Sequence, residues 1–362
     1  MSDIGVFRCS SYVEEEVEIA IGRCLDTMIG NSQITIKTPS TIFLKANLLR
    51  DVNPEDGATT HPNVIRGIAK YFQKRDCRVI VGDCPGSPLG FSEKTLRTVY
   101  QATGMEQLAA SIGCELNYNT AKTIVQNPNS SLLKEITMSS AMLEADYIIS
   151  VPKLKTHVMM AYTGAVKNLY GVVPGRIKLK YHFLMQDMVQ FANLLVEISE
   201  LIKPILTIID AIDVMEGNGP TAGNKVHIGY IMAGSNTHEL DLAATQIVGL
   251  DPKEIPTIAM AVRLGLLAYK TLSEIPIQGE SMDTLNIRPI KKAFLSDHYT
   301  EPVIQRERCV ACGLCVEACP TQTIFWKNKM PVIDADECIR CYCCHELCPH
   351  KAIDLRQFAH YS

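Results

Sequence analysis

The 362-residue chain predicts an α/β fold: a layered domain with a largely parallel or mixed sheet, followed by a small α+β domain. Two observations support this. Over about the first 300 residues, segments with helical periodicity alternate with short apolar segments, as when strands and helices pack in layers. The C-terminal part instead carries eight cysteines in two copies of one spacing. We place the junction near residue 297, giving domains 1–296 and 297–362, because residues 274–295 lose their periodicity and gain prolines.

The first predicted element is an amphipathic helix. Its acidic first turn, residues 14–16, suits the positive end of a helix dipole. Its apolar face comprises Val13, Val17, Ala20, Ile21, Cys24, Leu25 and Met28.

The boundaries of the later helices are predicted from capping residues, prolines and glycines. Pro62 opens a second helix, Gly104 and Gly113 are typical C-cap residues, and Asp251 with Pro252 is typical of an N-cap followed by proline. The remaining predicted helices cover 92–103, 105–112, 183–202 and 237–248, and the predicted strands cover 41–49, 78–81, 147–151, 205–209 and 227–232.

Two cysteine runs lie near the end of the chain. Each reads C-x2-C-x2-C-x3-C followed by proline. Thiolates bind iron, four of them close a cubane, and the two-residue gaps let three successive ligands surround one corner of it. The runs predict two [4Fe–4S] clusters; structural zinc also takes C-x2-C pairs but does not require this longer pattern twice over. The predicted ligands are Cys309, Cys312, Cys315, Cys319, Cys338, Cys341, Cys344 and Cys348. Cys343 is an extra thiol, either an inert neighbour or an alternative ligand.

Composition limits the possible functions. A net charge of −4 argues against general nucleic-acid binding, and no apolar run is long enough to cross a membrane. Thiolate clusters need a reducing compartment, and the other cysteines do not suggest a disulfide framework. We therefore expect a cytoplasmic protein, of an anaerobe, that binds neither nucleic acid nor membrane. The glycine-rich segments match neither a P-loop nor a dinucleotide fingerprint, and no nucleophile elbow is present.

One segment has an unusual charge balance. The 40 residues between Asp146 and Asp187 contain no carboxylate, where about four are expected from the average composition. The segment contains His157, His182, Lys153, Lys155, Lys167, Arg176, Lys178 and Lys180. This imbalance favours a small anionic ligand. The alternative is a solvated basic surface that docks an acidic redox protein.

The position of these residues supports the first interpretation. Lys153, Lys155 and His157 follow the predicted strand 147–151 and are expected at its carboxyl end, where α/β proteins usually place ligands. Glycines at 164, 171 and 175 suit turns that let backbone N–H groups approach an anion. Further candidate binding residues in loops or at strand ends are Lys45, His61, Asp83 and Asn168.

Several segments together resemble one family. FLKANLL, TTHPNVIRG, VIVGDCPGSP, ADYIISVPKLKTH, TGAVKNLYGVVPG and MEGNGPTAG are similar to segments of the domain-of-unknown-function family 362, over about residues 4–255. Ala46 stands where that family usually has proline, which is expected to alter only a loop. Members are often fused to a two-cluster ferredoxin, and the family implies an architecture rather than a reaction.

The cysteine runs resemble those of bacterial ferredoxins, in which the fourth cysteine of each run binds the other cluster. The resemblance implies a ferredoxin-type domain at 297–362. It also implies one cluster held by Cys309, Cys312, Cys315 and Cys348, and a second held by Cys338, Cys341, Cys344 and Cys319.

A remoter resemblance concerns the acid-free segment. It is similar to the catalytic stretch of the nickel-pincer lactate racemase family, where a histidine lies ten residues before a lysine that bonds the cofactor. His157 and Lys167 keep that spacing, and His182 is a candidate for the downstream nickel ligand. The surrounding loop differs from that family.

The leading hypothesis is an iron–sulfur oxidoreductase. Electrons pass through the clusters to an anionic substrate or cofactor held by Lys153, Lys155, His157 and Lys167, and His157 serves as general acid. A redox partner protein and a small anionic ligand are expected. The alternatives are a non-enzymatic electron-transfer adaptor and a racemase-like hydride-transfer enzyme with accessory clusters.

Overall fold

The computed structural model describes residues 4–30, 34–86, 90–130, 132–293 and 299–358. Its strands are β1 Ile4–Arg8, β2 Thr41–Ala46, β3 Arg78–Gly82, β4 Glu115–Leu116, β5 Lys122–Gln126, β6 Glu135–Ser139, β7 Tyr147–Val151, β8 Lys153–His157, β9 Ala161–Thr163, β10 Leu206–Glu216, β11 Asn224–Gly234, β12 Ile277–Gly279, β13 Tyr299–Ile304, β14 Ile324–Lys327, β15 Met330–Ile333 and β16 Ile353–Phe358. Its α-helices are α1 Glu14–Gly30, α2 Pro62–Gln73, α3 Glu93–Ala102, α4 Met105–Ile112, α5 Ser140–Leu143, α6 Ala165–Asn168, α7 Ile177–Leu184, α8 Met188–Ile202, α9 Thr237–Ile247, α10 Pro256–Arg263, α11 Leu314–Ala318 and α12 Cys343–Leu347.

A ten-stranded mixed sheet organises the larger domain. Its order is β12-β1-β11-β10-β7-β2-β3-β4, with β8 pairing with β10 and β9. The strands β10, β7, β2, β3 and β4 run parallel, whereas β11 is antiparallel to both β10 and β1. This confirms the predicted layered α/β fold. The carboxyl ends of β2, β3 and β7 lie at one edge of the sheet, as parallel strands require.

The sheet is buried on both faces, which explains why its central strands are continuous apolar runs. In β2, Ile42 and Leu44 join the apolar cluster that includes residues of α1 to α4. Phe43, between them, joins a second cluster that includes residues of α8. Successive strand residues point to opposite faces, so one run of sequence supplies both cores.

Most predicted helices and strands are present, with three local differences. Val13 precedes α1 and is 63% exposed. The helix predicted at 183–202 is two helices, because the Asp187 side chain accepts hydrogen bonds from the first turn of α8 and caps a new start there. The strand predicted at 41–49 ends at Ala46, after which the backbone turns along the edge of the sheet.

The C-terminal region is a small α+β domain, as predicted. The strands β13 and β16 form one antiparallel pair, and β14 and β15 form another. The helices α11 and α12 each follow the first two cysteines of a run. The junction predicted near residue 297 lies outside the described residues.

Helix α12 packs against the larger domain. Arg50 donates a hydrogen bond from Nη1 to the carbonyl of Leu347, and Thr221 donates from Oγ1 to the carbonyl of Glu346 at 2.9 Å. Tyr342, just before the helix, packs against the apolar cluster that contains Phe43. The second cysteine run is therefore part of an interface between the domains.

Candidate functional site

Each set of four cysteines surrounds its own cavity in the C-terminal domain. Cys309, Cys312, Cys315 and Cys348 line the first cluster cavity. Cys319, Cys338, Cys341 and Cys344 line the second cluster cavity. Each set takes three thiols from one run and the fourth from the other, the placement that crossed ligation requires. Four thiols around each cavity fit a cubane cluster.

A third cavity lies between the two domains, with a volume of about 80 Å³. We call it the interdomain cavity. The loops after β2 and β3 and the segment from β9 to α7 form most of its wall, and α12 completes it. Its polar lining residues are Asn47, Asp83, Cys84, Thr163, Lys155, Lys167, Asn168, Tyr170, Lys178, His182, Cys343 and Glu346.

Helix α6, which carries Lys167 and Asn168, is held in place by a buried carboxylate. Asp241 accepts hydrogen bonds from the backbone N–H groups of Ala165 and Val166, at 2.6 and 3.0 Å. Burial raises the pKa of Asp241 to about 6. A Cβ atom at Gly164 would overlap the Asp241 carboxylate, so a glycine is required where α6 begins.

A buried hydrogen-bond network forms the floor beside α6. Lys45 Nζ lies 2.7 Å from Asp83 Oδ1 and donates to Asn168 Oδ1 at 3.2 Å. Asn47 Nδ2 also donates to Asn168 Oδ1, and Lys155 Nζ donates to Asn47 Oδ1 at 2.9 Å. Because Lys45 and Asp83 neutralise each other, their pair adds no net charge to the cavity.

Some polar groups at the cavity have no protein partner. The Thr163 hydroxyl, His182 Nδ1 and Glu346 Oε1 are buried without hydrogen-bond partners, and the half-buried Lys167 makes no hydrogen bond within the described ranges. Unsatisfied buried polar groups are costly, so several around one space indicate a ligand or ordered water. For Gly171, the sequence predicted a turn that lets backbone N–H groups approach an anion, but the structure gives this glycine a different role. A Cβ atom there would overlap the side chains of Lys45 and Asp83, so Gly171 makes room for the ion pair.

Burial controls the ionisation of these side chains. Burial, and then the charge of Lys167, lowers the pKa of Lys155 to about 7. Burial also lowers the pKa of Lys167 and Lys178, and lowers that of His182 to about 4. A bound anion would favour the charged lysines and reverse these shifts.

His157 does not line the cavity but is connected to it. Its Nδ1 accepts hydrogen bonds from the N–H groups of Met159 and Met160, so the ring proton of the neutral form is on Nε2. His157 Nε2 lies 2.9 Å from Glu346 Oε1, and Glu346 lines the cavity. Burial and the charge of Lys167 lower the pKa of His157 to about 4.

Two of the predicted residues lie elsewhere. Lys153 Nζ is 3.0 Å from Asp210 Oδ2 and donates to the hydroxyl of Tyr12. His61 stacks on Tyr12 at 3.8 Å, and its Nδ1 caps α2 by accepting from Asn63 N. The structure thus brings together Lys45, Asp83, Lys155, Lys167, Asn168 and His182, and places Lys153 and His61 in a separate network around Tyr12.

The contribution of α12 was not predicted from the sequence. Glu346, Cys343 and Leu347 come from the cysteine run and complete the cavity wall. The sequence contains no signal for this role, because Glu317 occupies the equivalent position in the first run and only the structure shows that Glu317 is exposed and Glu346 is buried. Thr163 and Lys178 also line the cavity without having been singled out as ligand-binding residues.

The chain is similar to known families, to known proteins and to a solved structure. Residues 42–246 match the family described as Domain of unknown function (DUF362), and residues 302–325 and 331–354 each match the 4Fe-4S binding domain. A thylakoid-associated protein of Synechocystis sp. is 31% identical over 270 residues, which are 74% of this chain and 80% of that protein. An uncharacterized ferredoxin of Methanocaldococcus jannaschii is 41% identical over 59 residues, 16% of this chain and 38% of that protein. The lactate racemase apoprotein from Thermoanaerobacterium thermosaccharolyticum superposes with a TM-score of 0.40 and 12% identity, over 65% of this chain and 55% of that one.

The matches to the 4Fe-4S binding domain confirm the prediction of two [4Fe–4S] clusters. The resemblance to family 362 is also confirmed. As for membranes, none of the described helices is both long enough and apolar enough to cross a bilayer.

Proposed function

Because the chain belongs to the domain-of-unknown-function family 362 and carries two [4Fe–4S] clusters, we propose that it is an iron–sulfur oxidoreductase acting on a small anion in the interdomain cavity. The observation that carries this proposal is the position of α12. Its residue Cys344 lines the second cluster cavity, while its residues Cys343 and Glu346 line the interdomain cavity. One short helix thus separates the cluster from the ligand space.

The charges favour an anion. Lys155, Lys167 and Lys178 line the cavity, and Glu346 is the one carboxylate there, among the described residues, that no lysine neutralises directly. A singly or doubly charged anion would balance the excess positive charge of the cavity. The Lys167 ammonium, the Thr163 hydroxyl and the third N–H of Lys155 are available to bind it.

The volume limits the ligand class. A cavity of about 80 Å³ holds several water molecules. Sites for drug-sized ligands are larger, roughly 300–1,000 Å³. The cavity therefore suits a short-chain carboxylate or a small oxyanion rather than a nucleotide.

The protein can also supply a proton. Reduction of a carbonyl or an unsaturated bond requires protons together with the electrons that the clusters supply. The Nε2 atom of the neutral His157 ring lies 2.9 Å from Glu346 Oε1, close enough for proton transfer after a small rotation of either side chain, and Glu346 lines the ligand space. This pair provides a route for a proton from the larger domain to the cavity.

The docking interpretation of the acid-free segment has less support. Lys153, Lys155 and Lys178 are buried and unavailable to a protein partner. Arg176 and Lys180 of this segment are exposed.

The test compares Lys167→Ala with Lys180→Ala, which removes an exposed lysine of the same acid-free segment. Anaerobically prepared proteins are titrated with acetate, pyruvate and phosphate while the electron paramagnetic resonance signal of the reduced clusters is recorded. We expect at least one anion to perturb the signal. Lys167→Ala should weaken its binding by roughly ten- to hundredfold, because a desolvated charge-assisted contact contributes about 1.5–3 kcal/mol.

Lys180→Ala should behave like the unmodified protein, since a solvated charge contributes little. The proposal fails if none of the anions perturbs the clusters and none copurifies by mass spectrometry. It also fails if the two variants bind equally well.

A further inference from the structure

The C-terminal domain contains a groove that is separate from the interdomain cavity. It lies beside β13 and the β14–β15 hairpin and has a volume of about 560 Å³. Its apolar floor is shared with both cluster cavities. Ile304 and Pro331 also line the first cluster cavity, and Pro302 and Ile333 also line the second. A molecule in this groove would be separated from each cluster by one layer of side chains.

The groove is positively charged. Arg306, Lys327 and Arg356 line it, together with the single carboxylate of Glu301. Glu301 already lies 3.6 Å from Arg340. Within the part of the chain that the structure describes, Arg306 and Lys327 have no ion-pair partner, and both are exposed. The groove thus combines an apolar floor with two exposed cations, Arg306 and Lys327, that no carboxylate of the described residues neutralises.

Its surroundings suit a protein partner better than a small molecule. Phe325 and Trp326 of β14 are 45% and 49% exposed next to Lys327, and aromatic residues with arginine are enriched in protein interfaces. None of the described groove-lining side chains has an unpartnered buried polar atom, unlike those of the interdomain cavity. Small-molecule sites normally contain such convergent polar groups.

We propose that this groove docks an acidic electron-transfer protein that reduces the clusters. In each transfer the partner's redox centre loses one electron and one cluster gains it, and no bond is made or broken. Positive charge around the groove increases the rate of encounter with an acidic surface. The inference rests on the electron-transfer role proposed above, but not on the ligand of the interdomain cavity.

The experiment uses reduced flavodoxin as an acidic one-electron probe and dithionite as a small reductant. The full-length, cluster-loaded protein is compared with Arg306→Glu, Lys327→Glu and Lys329→Glu. Lys329 is exposed in the same hairpin but does not line the groove. All three variants replace one cation by glutamate and therefore have the same net charge, so Lys329→Glu is the matched control. Reduction is followed by stopped-flow absorbance at several ionic strengths.

We expect Arg306→Glu and Lys327→Glu to slow reduction by flavodoxin roughly tenfold at low ionic strength, with the difference disappearing at high salt. Lys329→Glu should change the rate less than about twofold. Reduction by dithionite and the iron content should be the same in all variants. Carbodiimide cross-linking should join Lys327, and not Lys329, to the probe.

Equal effects in all three variants, or none, would overturn the proposal. Slower reduction by dithionite in the groove variants would overturn it as well, in favour of a site for small anions. These outcomes are independent of the interdomain cavity. Failure of every small anion to perturb the clusters contradicts the proposed substrate site but does not affect this docking test.

Discussion

His157 and Glu346 meet across the domain interface, with Nε2 of the histidine 2.9 Å from Oε1 of the glutamate. His157 belongs to β8 of the larger domain, and Glu346 belongs to α12, between the predicted cluster ligands Cys344 and Cys348. Burial alone would raise the pKa of Glu346, but His157 and Lys167 outweigh it and lower that pKa to about 2. The carboxylate is therefore ionised at neutral pH and lies beside the histidine ring, although neither Glu346 Oε1 nor His157 Nε2 makes a hydrogen bond within the described residues. The contact couples the position of the second cluster to the wall of the interdomain cavity.

The first prediction tests this contact by using the repeat within the C-terminal domain. Glu346→Ala removes a buried carboxylate that lies 2.9 Å from the buried His157 Nε2, and we expect the loss of this contact to cost about 1–3 kcal/mol. Glu317→Ala removes the equivalent, exposed carboxylate of the other run and should change stability by less than about 0.5 kcal/mol. Anaerobic urea denaturation, monitored by the absorbance of the clusters, measures the stability of both variants. Equal stability of the two variants would show that the interface does not depend on this contact.

The second prediction concerns the clusters. The intact protein should contain about eight irons and eight sulfides per chain, as two four-iron cubanes do. Cys319 lies in the first run but lines the second cluster cavity, so Cys319→Ser should damage the second cluster. Cys343→Ser is the control, because Cys343 lines the interdomain cavity and not a cluster cavity.

Iron analysis with electron paramagnetic resonance separates the outcomes. Cys319→Ser should retain about half of the iron and the signal of one cluster, whereas Cys343→Ser should retain both. Loss of a cluster in Cys343→Ser would identify that thiol as a ligand. Zinc without sulfide in the intact protein would contradict the cluster assignment.

The third prediction is a pH dependence of anion binding. The pKa of Lys155 is lowered to about 7, so below that pH the free protein already carries the charge. Above it, binding of an anion must take up a proton, and the affinity should fall by up to about tenfold per pH unit. The pKa values of Lys167 and Lys178 are also lowered by burial, so their titration would act in the same direction.

Calorimetric titration with the tightest of the three probe anions, in buffers of different ionisation enthalpy, detects this proton uptake. Lys155→Met should bind weakly at every pH and lose the part of the pH dependence that begins near pH 7. A constant affinity between about pH 6 and pH 9 in the unmodified protein would contradict the prediction.

Most of the fold could be predicted from the sequence because its signals are local. The apolar face of α1, the proline that opens α2 and the C-cap glycine Gly113 each act within one or two turns of chain. The two helices predicted as one show the limit of this approach. Asp187 caps α8 in the middle of an apolar stretch, and periodicity alone passes over it.

The site could be predicted only in part, because its remaining members depend on tertiary contacts. The segment without carboxylates between 146 and 187 supplies many of the residues that line the cavity. That pattern does not distinguish Lys155, which faces the cavity, from Lys153, which faces Asp210 across paired strands. Glu346 lies 189 positions after His157, and no local pattern connects two such residues.

The last prediction separates the two domains. Three apolar clusters lie almost entirely within residues 4–290, and the fourth lies within the C-terminal domain. Because a chain of about 300 residues buries roughly three quarters of its surface, a fragment of residues 1–296 should fold without iron. It should unfold cooperatively on heating.

The fragment lacks Cys343, Glu346 and Leu347, so its cavity opens to solvent and the anion contacts of Lys167 are screened by water. We therefore expect a folded fragment that binds the probe anions at least about tenfold more weakly than the full chain. A fragment that binds them equally well would show that α12 takes no part in the site, and an unfolded fragment would show that the C-terminal domain is needed for the core itself.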